Sequence, residues 1–286
     1  MTQPFTCPEC HNQASPSLRF CPHCGADMGF PNVRQAQAEK SELEARYQKA
    51  LAEAEQRGAR DALESFTDHV NRHSQAVMAR PLNMVDELIS KPNQILSTYR
   101  QRQGNSQIPE GSKWDILRPA TEAALFPGYE DQIHYAMLSF EDKAPDHYGD
   151  VSLVFNHDMI KNRATAYEMN SVMYLVNSDI SFKQLSNLPK GFQATWDQRG
   201  ELAAAKSAAA IGDDACRDDY QSVLVQEKNG EDDVFVEVHI YGIITARAVT
   251  KVKLHPTDDK RQANYRKMKS EEWSERLYDT TIQVEA

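Results

Sequence analysis

The chain has 286 residues, of which 40% are hydrophobic and 26% are charged, so it is long enough to bury one sizeable core with small appendages. It contains no apolar run near the roughly 20 residues of a membrane span and no N-terminal signal-peptide pattern, which predicts a cytoplasmic protein without a membrane partner. The net charge of −10 argues against a protein that coats nucleic acid non-specifically, because each phosphate contact needs a cation.

Four of the five cysteines lie within the first 24 residues, in the paired knuckles Cys7-Pro-Glu-Cys10 and Cys21-Pro-His-Cys24. Two such knuckles supply the four thiolates of a closed tetrahedral shell, which predicts a structural zinc site made by Cys7, Cys10, Cys21 and Cys24. Residues 1–30 are therefore interpreted as a zinc ribbon whose folding depends on the metal. Docking onto a protein or nucleic acid and a simple capping role both stay open for the ribbon.

Residues 31–105 are predicted to form a helical segment between the ribbon and the rest of the chain. Apolar residues recur at three- and four-residue steps from about Val33 to Arg80, which favours a long helix with a break near Gly58. Pro81 and Pro92 bound a short amphipathic helix, and the polar run at 100–109 reads as a loop that precedes the main boundary.

Residues 106–286 alternate short strands with a few helices, which predicts an α+β domain with mixed or antiparallel sheets. Strands are expected at 133–140, 151–155, 164–169, 234–241 and 251–254, and helices at 178–185 and 201–211. A further strand at 222–226 and the Asn229-Gly230 turn predict a hairpin with 234–241.

The stretch 232–242 alternates strictly, so that a strand would direct Val234, Val236, Val238 and Ile240 to one face and Phe235, Glu237, His239 and Tyr241 to the other. The second face combines a carboxylate and an imidazole with flanking aromatic rings. Two interpretations follow: a half-exposed strand whose outer face is polar, or a functional site organised around Glu237.

Several pieces between about residue 130 and residue 255 form an ordered pattern. They are Tyr135-Ala-Met-Leu138, Tyr148-Gly-Asp-Val-Ser-Leu-Val154, Arg163-Ala-Thr165 with Asn170-Ser171, and Glu237-Val-His239 before Gly242. In this order they resemble bacterial ADP-ribosyltransferase-like domains, including toxin domains. The resemblance implies an ADP-ribosyltransferase-like fold of mixed or antiparallel sheets with flanking helices, and NAD as the substrate.

The resemblance also implies roles for individual residues. Glu237 would stabilise the positive charge that develops on the ribose when the nicotinamide bond breaks, and His239 would orient Glu237 or bind the acceptor. The residues expected to hold NAD are His134, Tyr135, Tyr148, Arg163, Thr165 and Ser171. The chain departs from the family pattern in lacking a Ser-Thr-Ser run and in its late motif. The commonest late motif has two acids or Gln before Glu, whereas Glu237 is followed at the same-face position by His239, which leaves a degenerate copy open.

Two function classes remain. The first is an NAD-dependent ADP-ribosyltransferase, a bacterial toxin or anti-phage effector that modifies an intracellular protein or nucleic acid, with an antitoxin as a candidate partner. The second is a non-enzymatic zinc-ribbon adaptor that binds a protein or nucleic acid. A metal-dependent hydrolase lacks support, because the histidines show neither H-x-H nor H-E-x-x-H spacing.

Overall fold

The computed structural model describes residues 5–91, 93–104, 113–177, 188–226, 228, 233–277 and 280–284. The strands are β1 (Phe5–Thr6), β2 (Gln13–Ala14), β3 (Gln75–Arg80), β4 (Ile133–Ser139), β5 (Val151–Phe155), β6 (Ala164–Tyr167), β7 (Gln193–Thr195), β8 (Glu237–Tyr241), β9 (Val249–Leu254) and β10 (Thr281–Val284). The helices are α1 (Pro31–Gln37), α2 (Lys40–Gln56), α3 (Arg60–His73), α4 (Leu82–Ser90), α5 (Tyr99–Gly104), α6 (Lys113–Leu125), α7 (His157–Ile160), α8 (Ser171–Asn177), α9 (Arg199–Ser207), α10 (Tyr220–Leu224) and α11 (Lys260–Ser274).

One eight-stranded sheet organises the body of the protein, in the order β10-β9-β5-β3-β4-β8-β6-β7. The pairs from β9 to β7 are antiparallel, and β10 adds to β9 in parallel, so the sheet is mixed. This confirms the predicted α+β class. The ribbon strands β1 and β2 form a separate two-stranded pair beside the clustered cysteines.

Strand β3 lies in the middle of this sheet and corrects the helical interpretation of residues 33–80. The helical pattern divides into α1, α2 and α3, with Gly58 in a left-handed conformation (φ 74°) at the predicted break. Helix α3 ends at His73, Ser74 is extended, and the next six residues pair with both β4 and β5. The segment 31–105 therefore supplies a central strand to the sheet that the sequence analysis assigned to residues 106–286.

The first face of the sheet carries the main apolar core. Side chains from alternate strand positions, such as Met78, Leu138 and Val238, pack against helices α2, α3, α4, α9 and α11. Helices α3 and α9 approach closely because Gly200 has no side chain, and a Cβ there would lie 2.4 Å from the carbonyl oxygen of Thr67. We call this the core face.

The second face of the sheet is covered by α6 and α8 and holds smaller apolar clusters. One cluster joins Ile133 and Tyr167 to Phe126 and Tyr174, and another joins Val77 and Met137 to Phe235. Because β8 alternates as predicted, Glu237 and His239 point to this face, although they are 2% and 1% exposed rather than solvated. We call this the site face.

Several local predictions need correction or fall elsewhere. Residues 222–226 belong mostly to helix α10 instead of a hairpin strand, and only Gln226 bridges to Val234. The sequence predicted a loop at 100–109, but residues 100–104 belong to helix α5. Residues 105–109 lie outside the described part of the chain. The predicted helix at 178–185 and the Asn229-Gly230 turn lie outside the described residues. In the part of the chain that the structure describes, no helix is both long enough and apolar enough to cross a membrane.

Candidate functional site

The four cysteines of the ribbon converge on one point. All four sulfur atoms lie within 4.8 Å of one another, and the pairs Cys7–Cys24 and Cys10–Cys21 are separated by 3.8 and 3.6 Å. These separations are too long for disulfides, whose sulfur atoms lie about 2.05 Å apart. Four bonds of about 2.3 Å to a tetrahedral ion space the sulfurs by roughly 3.8 Å, so the cluster fits a metal site.

Backbone hydrogen bonds hold the two cysteine knuckles in matching turns. The amide of His11 donates to the carbonyl of Cys7, and the amide of Gly25 donates to the carbonyl of Cys21. Both His11 and Gly25 have positive φ, of 58° and 76°. The residue that closes each turn is therefore in the left-handed region, which suits glycine at position 25.

Glu237 lies at the start of β8 and is bonded on several sides. Its Oε2 atom accepts a hydrogen bond of 2.7 Å from the backbone amide of Ser171 and lies 3.1 Å from Nε2 of His239. Its Oε1 atom lies 3.9 Å from Nη1 of Arg118. Burial opposes ionisation of this carboxyl, but the bond and charge of His239, the charge of Arg118 and hydrogen bonding by Ser171 outweigh burial and hold the pKa of Glu237 below its usual value.

Helix α6 brings two charged residues to Glu237 that the sequence analysis did not assign. Arg118 stacks its guanidinium 4.6 Å from the ring centroid of Tyr135, and Glu122 accepts a 3.0 Å hydrogen bond from the Tyr135 hydroxyl. Burial raises the pKa of Glu122 to about 7, against the charge of Arg118 and the Tyr135 bond. Their spacing was the available sequence signal: the two opposite charges are four residues apart on a helix that also presents Leu125 to the apolar cluster of the site face.

Three aromatic rings surround His239. Phe126 and Tyr135 contact it edge to face, with ring centroids at 4.8 and 5.4 Å, and Tyr167 lies at 5.5 Å. Tyr135 pairs directly with His239 across the β4–β8 ladder. The rings fix the imidazole plane and keep water from the Glu237–His239 bond.

Thr165 and Ser171, both predicted to support the NAD pocket, lie on the same face. Thr165 pairs with His239 across the β6–β8 ladder. The side-chain amide of Asn32 in α1 donates to the Thr165 hydroxyl at 3.4 Å and to the carbonyls of Arg163 and His239 at 3.0 and 3.4 Å. Ser171 contributes its amide to Glu237, and its own hydroxyl is buried without a hydrogen-bond partner among the described residues.

His134 and Arg163 are not brought to Glu237. His134 and Tyr135 are neighbours on one strand, so His134 points to the core face, where burial and nearby arginines lower its pKa to about 3. Arg163 donates to the carbonyls of Met159, Tyr241 and Ile243. The Tyr241 carbonyl lies at the opposite end of β8 from Glu237, about 13 Å away at the usual rise of a strand.

Tyr148 lies at the edge of the site. Its ring packs edge to face on Phe235, with the centroids 6.2 Å apart, and burial together with the charges of Asp233 and Glu237 raises the pKa of its hydroxyl. The turn that positions it requires Gly149, which has φ 154° and lies so close to Arg80 that a Cβ would approach its backbone to 2.4 Å.

A separate cleft of about 780 Å³ runs between the ribbon and the body. Leu18 and Phe20 line it from the ribbon, and Tyr129, Arg163 and Ile243 line it from the body. Phe20 is 53% exposed and Ile243 is 62% exposed, so the cleft has apolar rims that face solvent.

Comparison of the chain with protein-family models and with curated proteins finds no match in either.

Proposed function

We propose that the protein is an NAD-dependent ADP-ribosyltransferase with an ADP-ribosyltransferase-like body, and that Glu237 is its catalytic carboxylate. The observation that carries the proposal is the setting of Glu237, an ionised carboxylate fixed by Ser171 and His239 within a wall of aromatic rings. A charged carboxylate is costly to bury, so a carboxylate that is buried and kept ionised is a candidate for stabilising a positively charged species.

The chemistry matches that setting. Cleavage of the nicotinamide–ribose bond of NAD develops positive charge on the ribose ring, and a carboxylate that is already oriented stabilises that charge without reorganisation. His239 holds Glu237 from the side of the sheet, and Tyr135 supplies a flat ring beside it that suits stacking against nicotinamide.

Arg118 takes the role that the sequence analysis gave to Arg163. Its guanidinium lies beside Glu237 and Tyr135, and its Nη1 atom is buried without a hydrogen-bond partner in the described part of the chain. A planar guanidinium with a free donor suits the pyrophosphate of NAD. The Nε and Nη1 donors of Arg163 already bond to backbone carbonyls.

The metal of the ribbon is zinc in this proposal, because four thiolates in a closed tetrahedral shell are typical of structural zinc sites. The ribbon then aids docking of a macromolecular acceptor, a protein or a nucleic acid. The biological role proposed is that of a bacterial toxin or anti-phage effector that acts inside the cell, with an antitoxin as a partner.

Replacement of Glu237 by Gln tests the proposal. The variant keeps the side-chain shape and removes the charge, so nicotinamide release from NAD is expected to fall roughly 100- to 1000-fold. Glu64→Gln serves as the matched control, since it removes a carboxylate from a surface ion pair with Arg60. A wild type that releases nicotinamide together with a fully active Glu237→Gln variant would remove Glu237 from the mechanism.

A second candidate function is a zinc-ribbon adaptor, and the ribbon–body cleft favours it. Its exposed rims at Phe20 and Ile243 offer apolar surface to a protein or nucleic-acid partner. Two results would together support the adaptor over the transferase. The wild type would show no NAD turnover with several acceptors, and it would bind a partner that the Phe20→Ala variant does not bind.

A further inference from the structure

Buried polar atoms without partners collect around Glu237. In the part of the chain that the structure describes, Oε2 of Glu122, Nη1 of Arg118 and Oγ of Ser171 are buried and make no hydrogen bond. Arg118 and Ser171 each approach the Glu237 carboxylate, and Glu122 shares Tyr135 with Arg118. Unpartnered buried groups are rare and costly, so several in one place indicate a site that a bound molecule completes.

Glu122 is the most informative member of this group. It is fully buried, and Tyr135 satisfies only its Oε1 atom. The charged and titratable groups that act on it come from four elements: Arg118 on its own helix, Arg100 on α5, Tyr135 on β4 and Glu237 on β8. Its second oxygen therefore remains available to accept a proton from a molecule in the site.

We propose that Glu122 is the base that takes the proton from the acceptor during ADP-ribosyl transfer. This assignment rests on the proposed function and deepens it. The acceptor X–H forms a bond from X to C1′ of the ribose, the bond from C1′ to nicotinamide breaks, and nicotinamide leaves with that electron pair. The proton of X–H passes to Oε2 of Glu122, so charge and atoms balance without a further reagent.

The two carboxylates are suited to different tasks because their environments differ. Glu237 must stay ionised throughout, and its three partners hold its pKa low. Glu122 must change its protonation state, and burial places its pKa at about 7. A pair of carboxylates whose pKa values are separated by their surroundings is the arrangement that acid–base catalysis uses.

The assignment also defines the class of acceptor. A base is needed only when the attacking group must lose a proton, as a hydroxyl, an amide or another N–H group does. A carboxylate acceptor is already deprotonated near neutral pH, so this enzyme would act on O–H or N–H groups.

Azide distinguishes a base from a residue that merely holds Tyr135. Azide is an anionic nucleophile with no proton to lose, so it bypasses a missing base but not a missing electrostatic stabiliser. The experiment uses the full chain with its metal and follows the release of nicotinamide from NAD, together with the formation of ADP-ribose and ADP-ribosyl azide.

For the wild type, the rate of NAD hydrolysis should rise with pH through about 7, because Glu122 accepts a proton only when ionised. Glu122→Gln and Glu122→Ala should lower hydrolysis at least ~100-fold and abolish that pH dependence. Sodium azide should restore nicotinamide release in Glu122→Ala, where the truncated side chain leaves space, and should not restore it in Glu237→Gln.

Full hydrolysis in both Glu122 variants would overturn the assignment while leaving the proposed function in place. The assignment would also be overturned if Glu122→Ala folds but azide does not restore nicotinamide release, because that result is expected of a residue that only positions Tyr135. If Glu122→Ala does not fold, the pH profile of Glu122→Gln decides: a profile that still rises through about 7 refutes the base. A wild type that releases no nicotinamide overturns the proposed function and this assignment with it.

Discussion

The two faces of the sheet use the same strands for different purposes. Strand β8 places Val238 on the core face among apolar side chains and places Glu237 and His239 on the site face, beside Arg118 and Glu122. Both faces are buried. The difference shows that burial alone does not mark a core: on one face it removes apolar surface from water, and on the other it holds charges at a cost.

The largest effect is expected from Arg118→Ala, which removes the guanidinium that faces the buried Glu237 carboxylate. Breaking one side of a buried ion pair costs about 3–5 kcal/mol, so the free energy of unfolding measured in denaturant should fall by about that much. The same substitution in a Glu237→Gln background should cost far less, because residue 237 then carries no charge that is left facing the missing guanidinium. An equal cost in both backgrounds would show that Arg118 stabilises the helix by packing alone.

On the core face, Leu138→Ala is expected to remove about 2–5 kcal/mol of unfolding free energy, since Leu138 is fully buried among apolar side chains of the main cluster. The activity per folded molecule should stay close to that of the wild type. Denaturant titration combined with an activity assay checks both parts. A large loss of activity in the folded variant would mean that the two faces are coupled.

Glu122→Gln should change how stability depends on pH. The folded protein raises the pKa of Glu122 from 4.5 to about 7, so its stabilising contribution is full below pH 4.5 and is lost as pH rises through about 7. At about 1.36 kcal/mol per unit, the variant should gain about 3 kcal/mol relative to the wild type across that window. Unfolding curves at pH 4.5, 6 and 8 measure the difference, and parallel pH profiles would contradict the shifted pKa.

The smallest effect on the stability of the sheet is expected from substitutions in the ribbon. Substitution of Cys21 and Cys24 by Ser should remove one bound metal per chain and unfold residues 5–28, because the buried side chains of that unit are few. The thermal midpoint of the body should move little. Metal analysis with calorimetry tests this, and equal metal content in the variant and the wild type would exclude the four-cysteine site.

The sequence predicted the features that depend on short-range patterns. The cysteine spacing located the four-cysteine cluster, the two prolines bounded α4 at Leu82–Ser90, and strict alternation placed Glu237 and His239 on one face. These patterns are local, so no knowledge of distant residues was required.

The remaining features depend on contacts between distant residues. Residues 75–80 are buried on both faces and contain alanine and methionine, so they lack the alternation that indicates a half-exposed strand and continue a helical composition. Glu122 and Glu237 are 115 positions apart (237 − 122). They come together only when helix α6, which carries Glu122, packs on the sheet that contains Glu237. The opposite directions of His134 and Tyr135, in contrast, follow from strand geometry alone.

The central position of β3 has a consequence for synthesis on the ribosome. Of the strands in the eight-stranded sheet, β3 is synthesised first. Its neighbours β4 and β5 end at residues 139 and 155, so 75 further residues (155 − 80) must be made before both neighbours exist. At about 5–20 residues per second, that delay lasts roughly 4–15 seconds. Until β4 is complete at residue 139, the apolar segment Ala76–Ala79 has no neighbouring strand to pair with, and an unpaired extended segment of this kind is prone to aggregate.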